Sequence, residues 1–500
     1  MYQAIITMVD HQKKVGFFGL AAIVVGSMVG GGVFNLPGNM AGGSALGPVL
    51  IAWVITGIGM YFLANTFKLL SDEKPELSSG IYSYAAEGFG RYVGFNSAWG
   101  YWLSAGIGNV SFAVLLMQAL GFFFPVFLAG NNWQSILGGS IFIWLMNTLV
   151  RRGVKGASLL NAISTVAKLI PLFIFLIILL YAFNWDKLSF DLWGQQTPSL
   201  GSIGTQLKST MLVTLWAFIG IEGAVVISGR AKNSRDVGKA TLFGFVGALL
   251  IYASISIFSF GIMNQADLAK LPDPSSSYVL KAIVGNWGAV MLNIGVIISI
   301  LGAWIAWTII TSEVPASAAA HGVFPKAFGH YNKHESPTFA LTATSLIMQA
   351  TLLFSVLEKN AFLAIISIAG SMILIPYALS AMYLLKLAFI DEKGTQKTKS
   401  FKIKSLINGM AATMYGFWLI YAAGLHYVLM STILYAIGIL VYRKAWIDNG
   451  KKGTLFTPTE KVIAIILVIL AIGALGMMVS GILPVEKWVH WFQHHAIKRN

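Results

Sequence analysis

Between residues 16 and 37 the chain is apolar over the width of a bilayer, yet its middle reads Gly26-Ser27-Met28-Val29-Gly30-Gly31-Gly32-Val33-Phe34-Asn35-Leu36-Pro37. A glycine inside a helix costs about 1 kcal/mol against alanine, so this density of glycine predicts a break in the span. Broken backbone survives at membrane depth only where protein or a water-filled cavity surrounds it. A second interruption, with a carboxylate inside it, is predicted in Trp216-Ala217-Phe218-Ile219-Gly220-Ile221-Glu222-Gly223. Spans broken at matching places in two halves of a chain are the best sequence pointer to the substrate site of a secondary transporter.

The rest of the chain fits that frame. Its 500 residues are 56% hydrophobic and 11% charged, with a mean hydropathy of +0.73, outside the range of soluble domains. Stretches long enough to span, roughly 20 apolar residues each, fall near 16–37, 46–68, 92–124, 134–150, 157–183, 207–228, 241–263, 286–319, 338–356, 361–389, 406–424, 426–443 and 461–483. The turn Gly424-Leu425-His426 is the weakest division among them, so the chain has 12 or 13 spans. The first span runs too long for a signal peptide and shows no small-residue cleavage site, so it is expected to stay in the protein. One membrane domain is predicted over 1–500. The net charge of +15 is concentrated in Arg151-Arg152-Lys155, Arg230-Lys232-Arg235-Lys239 and Lys393 through Lys404. These lie in loops that are cytoplasmic if the N-terminus is, which is the positive-inside rule and predicts that orientation in the cell (inner) membrane. No aromatic-interleaved basic patch points to nucleic acid. Residues 484–500, with Trp488 and Trp491, are expected to form an interfacial tail on the bilayer.

Several chemistries are excluded. The chain has no cysteine, so disulfides, thiolate metal sites and thiol redox catalysis are absent. Its histidines gather in loop and tail rather than in spans, the pattern of solvated side chains, and no metal or cofactor is predicted. There is no GxxxxGK[ST] motif for nucleotide hydrolysis. The run Gly30-Gly31-Gly32 has no preceding strand or downstream acidic partner, so it is not a dinucleotide loop.

Four segments together carry a family resemblance: Gly26 to Pro37, Ser97-Ala98-Trp99-Gly100-Tyr101-Trp102-Leu103-Ser104, Thr214 to Glu222 with Ser228-Gly229-Arg230-Ala231, and Gly302-Ala303-Trp304-Ile305-Ala306-Trp307-Thr308. The first resembles the opening span of the amino acid–polyamine–organocation superfamily. Together they resemble its basic amino acid/polyamine antiporter family, and within that the arginine–ornithine antiporter branch. The resemblance implies an all-α polytopic membrane protein with a five-plus-five inverted repeat, spans 1 and 6 broken. The repeat core is expected over 15–390, with peripheral spans over 400–483. Relatives suggest a homodimer.

Candidate site residues follow from both lines of reasoning. Backbone N–H groups at Gly30, Gly31 and Gly32 are expected to hold an amino acid's carboxylate at a half-helix N-terminus. Carbonyls freed at Trp216 and Ile219 would accept from its ammonium. The rival reading of the glycines is close helix packing. Trp304 and Trp307 sit near the middle of a long span, far from interfacial belts, and a tryptophan face attracts a cation. By resemblance, Trp307 stacks on the substrate's cationic end, Trp216 closes over its aliphatic part, Tyr101 is an outer gate and Asn109 hydrogen-bonds the distal group. The related arginine/agmatine exchangers carry serine where Gly31 stands, so backbone donors must suffice here. Gly106 replaces a tryptophan usual to the branch, and Phe112 is bulkier than expected for a long guanidinium.

Three ionisable residues at depth are coupling candidates: Glu222 at the second break, Glu313 near the end of span 8, and Lys168 in span 5. Lys168 matches the place where some relatives carry an ammonium in lieu of sodium; a purely structural brace is the alternative. The expected function is exchange of a cationic amino acid for its metabolic product by alternating access, arginine for ornithine first. Histidine for histamine comes second; lysine or ornithine with their products and tyrosine with tyramine stay open, as does proton-coupled uptake. A channel would not need an amino-acid clamp, and a sensor usually carries an output domain. The partners expected are the small-molecule substrates and the lipid bilayer, and no enzyme activity.

Overall fold

The computed structural model describes residues 16–77, 81–226, 231–357, 361–390 and 397–480. The predicted tail at 484–500 and the segments Arg230 and Lys393 lie outside the described residues. Among the described residues the protein is helical, with one isolated bridge between Tyr331 and Pro337.

In chain order the first half runs α1 (Phe17–Met28), a 3-10 turn (Gly32–Asn35), α2 (Leu36–Ala41), α3 (Leu46–Glu73), α4 (Ile81–Phe89), α5 (Arg91–Gly108), α6 (Val110–Gly121), α7 (Trp133–Arg151) and α8 (Val154–Tyr181). The short α9 (Trp185–Ser189) follows. The second half runs α10 (Ile203–Phe218), α11 (Gly223–Val226), α12 (Ser234–Phe260), α13 (Gln265–Leu268), α14 (Ser275–Val284), α15 (Asn286–Ala320), α16 (Thr338–Phe354) and α17 (Ala361–Phe389). Three helices complete the chain: α18 (Lys399–Ala423), α19 (Leu425–Asp448) and α20 (Pro458–Val479).

Among the described residues, eleven helices are long and apolar enough to cross a membrane, or twelve when α1 and α2 count as one broken span. The predicted span at 157–183 corresponds to α8, whose described apolar part is the shorter stretch Ala167–Tyr181. The doubtful division after span 11 is real: Gly424 has φ 92°, which ends α18 and lets α19 start in a new direction. The predicted span at 92–124 is nearly continuous, with Asn109 marking the junction of α5 and α6.

Burial orders these helices from centre to edge. The apolar window of the α5–α6 span is 89% buried, that of α10–α11 82% and that of α17 78%. Those of α19 and α20 are 28% and 17% buried, leaving faces rich in Ile, Leu and Val for lipid. A capping box fixes the start of α20: the Thr457 hydroxyl accepts from Glu460 N–H, and the Glu460 carboxylate accepts from Thr457 N–H. Glu460 also accepts from Tyr92 N–H at 2.8 Å, anchoring this edge helix to the central α5.

Candidate substrate site at the two helix breaks

The predicted first break is present. The axes of α1 and of the segment Gly32–Ala41 differ by 42°. Backbone carbonyls freed by such a break need donors, and side chains from distant helices supply them. Lys168 on α8 donates to Gly26 O at 2.7 Å, Trp307 Nε1 on α15 donates to Ser27 O at 3.1 Å, and Ser299 donates to Gly30 O at 3.2 Å. Gly30 N–H donates to Met28 O at 2.8 Å. Gly31 and Gly32 open the 3-10 turn, where N–H groups have no partner within the helix.

Close approach explains part of the glycine run. A Cβ on Gly31 would lie 2.6 Å from Leu115 and 2.8 Å from Ile300, whereas one on Gly32 would meet Trp216 at an ordinary 3.5 Å. Packing accounts for glycine at 31; it does not account for Gly32.

The second break lies between α10 and α11. Ile219 takes an extended conformation and Gly220 has φ 107°, a conformation that favours glycine. A Cβ at Gly220 would also meet the Ser27 backbone at 2.8 Å, so the two breaks touch. Ser27 Oγ donates to Gly220 O at 2.8 Å, tying them together. The Trp216 carbonyl accepts from Ile219 N–H at 3.3 Å.

Where the breaks meet there is a cavity. Gly30, Gly31, Gly32, Asn109, Trp216, Ile219 and Trp307, the sequence-predicted binding set, all line it. Phe112 also lines it, against Gly30. Ser104, Ser111, Tyr252 and Phe362 join them without having been singled out by sequence reasoning as binding residues. No acidic or basic side chain is among the lining residues. The wall is therefore aromatic and neutral, with a few hydroxyls and one amide. Trp304 stands behind it, fully buried beside Phe112 and Phe142.

The coupling candidates and Tyr101 are not among the lining residues, whereas Trp216, the other predicted gating residue, is. Glu222 is fully buried, and its carboxylate accepts from Tyr101 Oη at 2.7 Å, Tyr377 Oη at 2.5 Å and Gly220 N–H at 3.1 Å. Tyr101 thus clasps the second break from α5 rather than facing the cavity. Tyr377 completes the clasp from α17; no pattern in the sequence marks it. Lys168 is fully buried on the opposite flank, bound to the first break. Glu313, on α15, is not among the lining residues and accepts from Tyr331 Oη at 3.0 Å.

Comparison with known proteins places this geometry. Residues 15–441 match the amino acid permease family. A Clostridium perfringens protein named as an amino-acid transporter is 46% identical over 470 residues, covering 93% of this chain and 98% of the relative. The arginine/agmatine antiporter of Chlamydia caviae is 48% identical over 476 residues, covering 93% and 96%. That of Chlamydia pneumoniae is 46% identical over 479 residues, covering 94% and 98%. The chain is a multi-pass membrane transporter, not an enzyme, and belongs to the amino acid permease family within its basic amino acid/polyamine antiporters.

Proposed function

We propose that the protein exchanges a cationic amino acid for its metabolic product by alternating access, with the cavity between the two breaks as the site. The observation that carries this is the wall itself: several aromatic rings, and no charged side chain, at a point where half-helix N–H groups converge. A guanidinium or ammonium against a desolvated tryptophan face gains roughly 2 kcal/mol, without the strong pairing that would slow release from a carboxylate. The substrate carboxylate takes the N–H groups of Gly31 and Gly32, its ammonium the carbonyls near Ile219, and its far end Trp307 and Asn109. Arginine is the substrate most favoured, since the Chlamydia relatives are named for arginine and agmatine. Agmatine and ornithine are the two candidate counter-substrates. The basic loops orient the chain with its N-terminus in the cytoplasm of a bacterial inner membrane.

Counterflow in proteoliposomes loaded with arginine tests the pairing. Unlabelled agmatine, ornithine, histidine, histamine, tyrosine and tyramine are compared as competitors for labelled arginine. Agmatine or ornithine should compete within about tenfold of arginine, a difference of ~1.4 kcal/mol or less. Preference for histidine with histamine, or for tyrosine with tyramine, would reassign the substrate.

A further inference from the structure

Two of the cavity's serines have their donors turned into the protein. Ser104 Oγ donates to Ala369 O on α17 at 2.7 Å, and Ser27 Oγ to Gly220 O at 2.8 Å. Asn109 follows the same rule through a residue outside the lining. Thr311, on the turn of α15 after Trp307, donates its one hydroxyl hydrogen to Trp307 O at 2.6 Å. Only lone pairs remain on that oxygen. The Asn109 amide atom 3.3 Å from it must therefore be the donor, Nδ2. This leaves Oδ1 as the amide atom on the cavity side.

We propose that Thr311 is a positioning residue that sets the Asn109 amide with its carbonyl toward the cavity, so that the pocket selects substrates whose far end carries only donors. A guanidinium or ammonium satisfies such a wall. A neutral ureido end keeps some N–H donors but has a carbonyl in place of one donor edge. It loses the charge on its hydrogen bond to Oδ1 and, in the orientation that brings its oxygen to Oδ1, leaves two acceptors unpaired. Phe112 and Trp307 cannot make this distinction by hydrogen bonding, since the single Trp307 N–H is held by Ser27 O. The proposal deepens the cationic-substrate reading above and rests on it.

Counterflow by the full chain in proteoliposomes, with arginine and its neutral ureido isostere citrulline as competing substrates, tests the proposal. Wild type should prefer arginine. Thr311→Val, close in shape but without the hydroxyl, lets the amide turn over and should reduce that preference about tenfold, the scale of one hydrogen bond to a charged group. Thr311→Ser restores the acceptor and should keep the preference. Thr311→Ala gives a second hydroxyl-free variant should the valine protein lose thermal stability in detergent. A preference that persists in the hydroxyl-free variants, whatever happens to the rate, overturns the role of Thr311 and leaves the cationic-substrate reading standing. Equal loss in Thr311→Ser overturns it too, since volume would then matter and not the hydroxyl. A wild type that does not distinguish the two substrates overturns the underlying reading and this proposal with it.

Discussion

Trp307 holds two structures at once. Its indole nitrogen caps the first break at Ser27 O, and its ring lines the cavity. The two roles separate by substitution. Trp307→Leu removes the π face and should weaken binding of a cationic substrate about tenfold or more, given roughly 2 kcal/mol for a desolvated cation–π contact. Trp307→Phe and Trp307→Tyr keep a ring and should retain part of the affinity, as measured by binding calorimetry on purified protein. Equal loss in all three would assign Trp307 to packing. The sequence singled out Trp304 and Trp307 at mid-span, where the interfacial belt could not explain them; Trp307 lines the cavity and Trp304 stands behind it. The partner of Trp307 at Ser27 was not legible, since the two residues stand 280 positions apart and meet only through packing. The same holds for Tyr377 and Glu222, 155 apart. Tyr101, expected as an outer gate by its matched position, places its hydroxyl on Glu222, 121 positions away, a partner the sequence did not show.

At the scale of elements, the α1 break is held by contributions from α8 and α15, and α8 contributes through Lys168. The bond to Gly26 O replaces the helical donor that the break removes. Lys168→Ala leaves a buried carbonyl unpaired, at about 1–3 kcal/mol, so thermal stability and every mode of transport should fall together. A variant as stable as wild type that loses only the pH dependence of exchange would instead make Lys168 a coupling group. Element positions were largely readable from hydrophobic length, and the breaks from glycine placement. What hydropathy could not show is the set of shorter helices such as α4 and α14, which fall below spanning length. Nor could it show that the second break closes on the first through Ser27 and Gly220.

At the scale of the whole molecule, a deeply buried centre of α5–α6, α10–α11 and α17 surrounds the cavity, and α19 and α20 lie at the lipid edge. We propose that the edge helices stay with the lipid while the broken spans and their supports reorient around the site. On this reading the substrate, and no side chain of the uncharged cavity, supplies the charge at the site, so a loaded site reorients more readily than an empty one. This favours exchange over net uptake. Initial uptake of labelled arginine into proteoliposomes, with the lumen holding either arginine or buffer alone and with or without an inward proton gradient, tests that claim most directly. The account predicts fast uptake only into loaded vesicles; equal accumulation in empty vesicles driven by the proton gradient would contradict it.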